Sequence, residues 1–433
     1  MESNLNILMN KRKNCIKFIS SKEYDSTIKF SDFRNNLMIL SASRSGSSLL
    51  FYILSQNQKI VALDGETTPY LNLLLKNRSD DQLNKDDALS FQKNKYFEQD
   101  LIFDIGKVVP NEEYSIFFSK KEYREKYSVD VLRRLILQQP QINWNIEKDL
   151  LTIQKILLSI VEKHSSFNIL EFYLTLLNSF NIDHKGYDFQ KPLKNKELVF
   201  KDKDIIEEIP FIFVKPKYFL SKEILKDHYF LMKTPSNIYR LPFWKQIFNK
   251  AKFNWIHLAR NPASSINGLI DGWNSSSFQS YSPKEELNIK FNGKKILEKK
   301  WCFDLFPEWT RFIGKNLEDI CLHQWKNSHQ QIFKFLVQKK SFFIKFEDII
   351  GDNKKIIFNE LFKYFKLSNE LNDDKLPIIQ QSTKPMKFKW RNREKFILPL
   401  LKQREVSDLI DQLGYSSIID DLSIKSNIKE DWI

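Results

Sequence analysis

Short apolar runs alternate with stretches of helical period along much of this chain. Leu37-Met38-Ile39-Leu40 has the character of a buried strand and stops at Ser41-Ala42-Ser43-Arg44-Ser45-Gly46-Ser47-Ser48. Leu49, Leu50, Ile53 and Leu54 then follow at helical spacing, so the segment reads as strand, loop, helix. Lys59 to Leu63 reads as a second short strand, ending in Asp64-Gly65-Glu66-Thr67-Thr68-Pro69. From about Leu71 to Leu225 the period turns helical, with strong patterns over Val129–Gln138, Ile146–Val161 and Ile169–Phe180 and no convincing alternating strands. Strand character returns at Asp227–Met232, which runs into Lys233-Thr234-Pro235, and at Phe253–Ala259, which runs into Arg260-Asn261-Pro262-Ala263-Ser264-Ser265. A helix over Leu317–Lys339 precedes a last strand, Phe342–Phe346, followed by Glu347 and Asp348.

Strands alternating with helices imply a parallel sheet covered on both faces. The expected fold class is therefore α/β, a P-loop-type parallel sheet with a large, mostly helical insertion. Residues 1–70 and 226–433 are expected to form the α/β core and residues 71–225 the insertion, an acceptor-binding or lid region or else a homodimer contact. In a parallel sheet the ends carrying Arg44, Lys233 and Arg260 share one edge, where ligands of open α/β sheets bind. Three cations at one edge point to a polyanion pocket.

Composition narrows the picture modestly. The chain of 433 residues carries 68 Lys and Arg against 54 Asp and Glu, a formal charge of +14, which favours acidic partners. Lys is scattered, however, and the chain is rich in Asn, Ile and Phe, so much of that charge is attributable to coding bias. The densest cluster is Lys384, Lys387, Lys389, Arg391, Arg393 and Lys395 around Phe388 and Trp390. The three cysteines, Cys15, Cys302 and Cys321, show no metal or redox spacing and favour a reducing compartment. With no signal peptide and no apolar run of spanning length, the expectation is a cytoplasmic protein without a transmembrane segment.

The loop over Ser41–Ser48 has the chemistry of an anion site. Gly46 can adopt positive φ, Ser47 or Ser48 can cap the helix, and Arg44 offers a charged fork of donors to phosphate or sulfate oxygens. An ordinary Ser-capped helix after a core strand would look the same locally. The other strand ends, read together with it, make the pattern specific.

Four segments in order resemble the sulfotransferase family, whose members use 3'-phosphoadenosine 5'-phosphosulfate. They are SASRSGSSLL at 41–50, LMKTP at 231–235, IHLARNPASS at 256–265 and FIKFEDII at 343–350. The resemblance implies that Arg44, Ser45, Gly46, Ser47 and Ser48 cradle the 5'-phosphosulfate, that Lys233 lies near the transferring sulfuryl group, and that Arg260 pairs with the 3'-phosphate. The family's usual Ser, eight residues beyond that Arg, is Gly268 here, so Ser264, Ser265 or Asn267 must substitute. Glu66 resembles the Glu that acts as base in protein-tyrosine sulfotransferases. The His used by the branch acting on small hydroxyl compounds is replaced by Pro235. Asp64 is the second choice of base and His257 the third, and Glu347 and Asp348 are expected to be structural.

The expected activity is sulfuryl transfer to a hydroxyl or amine by in-line displacement, with Glu66, Lys233 and Arg44 as catalytic residues. No metal is expected, the acceptor class is open, and no nucleic-acid partner is anticipated. Two alternatives remain: a P-loop phosphotransferase, although G-x-x-x-x-G-K-[ST] is absent, and a noncatalytic nucleotide- or RNA-binding protein using the basic cluster.

Overall fold

The computed structural model describes residues 2–74, 86–89, 95–163, 167–182, 213–274, 280–281, 287–291, 294–296, 301–368, 376–377, 379 and 386–415. Five strands are built from the expected apolar runs: β1 (Asn35–Ser41), β2 (Ile60–Ala62), β3 (Tyr229–Lys233), β4 (Lys252–Ala259) and β5 (Phe342–Lys345). They form one parallel sheet in the order β5-β4-β1-β3-β2. Ile39 is level with Lys233, Ser41 with Leu258, and Lys345 with Ala259, so the carboxyl ends line one edge. The expected α/β class with a covered parallel sheet is the observed one.

Successive strand side chains alternate between two apolar cores. Met38, Leu40, Phe230, Met232 and Trp255 enter one core, together with buried residues of helices α7 (Pro262–Trp273) and α8 (Leu317–Leu336). Leu37, Ile39, Leu231, Ile256 and Leu258 enter the other, against α2 (Ser47–Ser55) and α9 (Lys354–Phe365). Both faces of every central strand are dry, which explains why these strands read as apolar runs rather than alternating patterns.

A third core belongs to a helical block. Helices α3 (Lys95–Asp104), α4 (Lys121–Gln138), α5 (Ile146–Lys163) and α6 (Ile169–Ser179) contain the expected helical patterns, and α1 (Glu2–Ile16) packs with them through Leu8, Met9 and Cys15. Within this mostly helical block, Lys107–Val108 pairs antiparallel with Lys217–Tyr218. Two-residue strands are too short for alternation to register in a sequence.

Four buried charges tie this block together. Arg12 contacts Asp100 at 3.0 Å and Asp104 at 2.6 Å, while Arg133 contacts the same carboxylates at 2.9 and 3.0 Å. Tyr70 adds a hydrogen bond to Asp104 at 2.8 Å. Burial alone would raise the Asp104 carboxyl; Arg133 and Arg12 outweigh it and hold the group well below the usual carboxylate range. Lys217 then joins the block to the sheet, donating to the Asp104 carbonyl at 2.8 Å and to Asp64 after β2 at 2.5 Å. Removing one member leaves uncompensated buried charge, so Arg133→Met should cost about 3–5 kcal/mol in urea unfolding. Asp104, depressed in the folded state, contributes stability above its unfolded value near pH 4 that is lost on acidification. The wild type should therefore lose stability below about pH 4, and Arg133→Met should flatten that limb; an unchanged acid limb would exclude this role.

Candidate active site

The turn between β1 and α2 has a backbone that few residues can adopt. Arg44 has φ of 65° and Gly46 φ of 85°, both left-handed. A Cβ on Gly46 would lie 2.1 Å from the Phe346 ring, which follows β5, so glycine is required by conformation and by space. Gly46 is itself the N-cap of α2 and no side chain caps the helix. The expectation that Ser47 or Ser48 supplies the cap is thus corrected. Phe346 occupies the wall beside the turn, and Gly46 takes the cap position with its backbone alone.

Arg260, at the end of β4, meets this turn from the other side. Its Nη1 donates to the Arg44 carbonyl at 3.1 Å, and its guanidinium lies 4.7 Å from the Phe346 ring centroid. Burial pulls the guanidinium down from its ordinary value, with Glu347 opposing. Glu347 accepts from the Asn261 N–H at 3.0 Å and from the Tyr415 hydroxyl at 2.6 Å, an anchoring pattern for the loop after β4. Asn261 caps α7 by accepting from the Ser264 N–H at 3.1 Å.

The first turns of α7 place the expected serines on different faces. Ser264 and Gly268, one helical repeat apart, share a partly exposed stripe. On that stripe a Cβ at Gly268 would lie 3.3 Å from the Arg44 Cβ. Ser265 is fully buried, and its Oγ has no partner among the described residues; the same holds for Ser45 Oγ. Asn267 turns away, accepting from Arg393 at 2.5 Å.

At the ends of β2 and β3, Lys233 is buried and donates to Glu66 at 2.5 Å, with the Glu66 side chain 31% exposed. Thr67 N–H donates to Thr234 Oγ1 at 2.9 Å, which fixes the Glu66 loop to the Lys233 loop. Asp64 is engaged by Lys217 with both side chains buried, which removes it from the open site. His257 faces the α8 side, 3.1 Å from His329, and burial pushes it down to about 4, so it is a neutral core histidine. The structure therefore gathers Arg44 and Arg260 around one turn and Lys233 and Glu66 at the adjoining strand ends. It sets Asp64 and His257 elsewhere.

Sequence reasoning missed the residues that hold these groups: Phe346, the Thr67–Thr234 link, Lys217, and Asp304, whose Oδ2 accepts from Ser43 at 3.0 Å. The basic cluster also changes character. Lys384 lies outside the described residues, Trp390 is buried, and Lys389 and Arg393 each reach Asp271 of α7 at 2.8 Å. Much of that charge pins the segment to α7 instead of forming an open nucleic-acid surface. Among the described residues no group of His, Cys, Asp and Glu could hold a metal ion, and no helix is long and apolar enough to cross a membrane.

Comparison with known proteins follows the same line. The family model described as "Sulfotransferase family" matches residues 36–368. Among solved structures, the chain resembles the sulfotransferase domain from the curacin biosynthetic pathway at 13% identity and a TM-score of 0.37, covering 88% of this chain and 98% of that one. It also resembles the sulfotransferase domain from the Synechococcus PCC 7002 olefin synthase at 10% identity and a TM-score of 0.31, covering 94% of each chain. A comparison with curated proteins finds no match. The family match takes in the sheet from the second residue of β1 through β5 and the whole turn at Arg44–Gly46: this chain belongs to the sulfotransferase family and is a sulfotransferase.

Proposed function

We propose that this enzyme takes its sulfuryl group from 3'-phosphoadenosine 5'-phosphosulfate and passes it to a hydroxyl or amine. The observation that carries the reading is the joint placement of Arg260 and the Arg44–Gly46 turn, two cationic elements held together through Phe346. The 5'-phosphosulfate is assigned to the turn, where the amides opening α2, Ser45, Ser47, Ser48 and Arg44 supply donors. The buried hydroxyls of Ser45 and Ser265, which have no partner among the described residues, suit a ligand rich in acceptor oxygens. The 3'-phosphate is assigned to Arg260 with Ser264, whose stripe on α7 it shares with Gly268, the position of the family serine. Ser265 is the lesser candidate because it lies on the buried side of the helix.

In the transfer, the acceptor oxygen or nitrogen forms a bond to sulfur as the bond from sulfur to the phosphate oxygen breaks in line. Negative charge then grows on the leaving phosphate, and positioned cations stabilise it. Lys233 and Arg44 take that role, and Glu66 receives the acceptor proton. The 2.5 Å contact between Lys233 and Glu66 keeps the acid-base partner and the cation at one point before ligand arrives. We assign the acceptor side to the helical block over 71–225. Lys217 fastens that block to Asp64, two residues from Glu66, so a substrate held by the block meets the base.

Calorimetric titration with adenosine 3',5'-bisphosphate tests the donor assignment. Wild type should bind, and Arg44→Ala and Arg260→Ala should each weaken binding roughly 10- to 100-fold, the worth of a hydrogen bond to a charged group. No detectable wild-type binding would refute the assignment. Gly46→Ala should lower stability by on the order of 1–2 kcal/mol from backbone strain and abolish binding by displacing Phe346. Retained affinity in that variant would contradict the role given to the turn.

A further inference from the structure

Among the described residues, the loops at the carboxyl edge hold several buried or half-buried acids, and three of them are answered by a cation, Asp64 by Lys217 among them. Lys233 pairs with Glu66, and Arg240 pairs with Asp87 at 2.6 Å with both side chains fully buried. Asp304 is a further acid, 4% exposed; among the described residues it forms no ion pair, and Arg240, already bonded to Asp87, is the cation that acts on it from a distance. Its Oδ2 accepts from the Ser43 hydroxyl, next to Arg44, while no donor among the described residues reaches Oδ1. A buried carboxylate without a cation is costly, and the cheaper state is the neutral acid.

The backbone at this point is built to aim the side chain. Phe303, the preceding residue, is left-handed with φ of 65°, and its ring fills the space over Gly272, where a Cβ would meet it at 2.2 Å. Trp301 Nε1 and Gln324 Nε2 donate to the Asp304 carbonyl at 3.2 and 3.3 Å. The peptide is clamped from the α8 side, which leaves the carboxyl directed at Ser43. Asp87, which accepts from the Leu305 N–H at 2.8 Å, and Glu66 face it as further negative groups. Tyr239, bonded to Asn327, lies on the same side as a neutral phenol.

We propose that Asp304 serves this site as a protonated carboxyl, donating a hydrogen bond at the sulfuryl end of the turn, so that anion binding takes up a proton. An ionised Asp304 would repel the anion; the neutral acid offers it a donor, as carboxylic acids kept neutral by their surroundings do. Burial first, and Asp87 next, push this carboxyl up to about 7 against the opposing Ser43 hydrogen bond and the Arg240 charge, so its protonation changes in the range where binding is measured. The inference rests on the donor assignment above.

The test is calorimetric titration with 3'-phosphoadenosine 5'-phosphosulfate between pH 6 and 8.5, in buffers of different ionisation enthalpy to count protons. Wild type should take up close to one proton at the alkaline end, and its affinity should fall by up to about tenfold per pH unit above the midpoint. Asp304→Asn, a neutral isostere, should lose that proton uptake and bind more tightly than wild type at pH 8.5. Ser43→Ala removes a bond that favours the ionised form, so its affinity should begin to fall at higher pH. Ionisation of the ligand's own phosphate is common to all three proteins and cancels in the comparison. Proton uptake unchanged in Asp304→Asn overturns the proposal. If that variant does not fold, an unmoved midpoint in Ser43→Ala overturns it. No binding by wild type would instead remove the donor assignment itself.

Discussion

One contact organises the carboxyl edge of the sheet: the Phe346 ring between Gly46 and Arg260. The ring occupies the place of a missing Cβ, so that only glycine fits this left-handed position of the β1–α2 turn. Its face carries the Arg260 guanidinium, and the same guanidinium is hydrogen-bonded to the carbonyl of Arg44, a residue whose own φ is positive. Three loops from three adjacent strands are thus locked by aromatic packing, a cation–π contact and one hydrogen bond. A side chain from the far strand sets the distance between the two cations proposed to hold the ends of the donor.

Charge pairing does the equivalent work on the other side of β1. Lys217 reaches both Asp64 and the Asp104 carbonyl, and Asp104 belongs to the buried quartet with Arg12, Asp100 and Arg133. Through these bonds a helical block with its own apolar core is fixed to the strand end that carries Glu66. The pairing also leaves a remainder: with Glu66 and Asp87 bonded to Lys233 and Arg240, Asp304 forms no ion pair of its own among the described residues and feels Arg240 only from a distance. That imbalance is a property of the whole edge, visible only when all the loops are in place.

The parts legible in the sequence share a physical reason. Strands buried on both faces appear as apolar runs, so their ends, and the cations that follow Met232 and Ala259, could be located by reading along the chain. Gly46 announced a positive φ, and the amphipathic helices of the block were evident from their period. What could not be read was long-range. Asp304 and Ser43 are 261 positions apart, and Lys217 and Asp64 are 153 apart. Neither Asp304 nor Lys217 lies in a motif. Asp64 stood as the second choice of base because it follows the same strand as Glu66; only the fold shows that it is sealed by a lysine. The basic cluster read as a surface for a similar reason, since Asp271, which answers two of its charges, sits on a helix more than a hundred residues earlier.

The central claim is that the turn and Arg260 form the two ends of one anion clamp, and a crystal structure with adenosine 3',5'-bisphosphate tests it most directly. The account predicts the 5'-phosphate within hydrogen-bond distance of the amides at the start of α2, and the 3'-phosphate against Arg260 with Ser264. A nucleotide bound in the reverse sense, or bound elsewhere while Arg260 faces no phosphate, would contradict it.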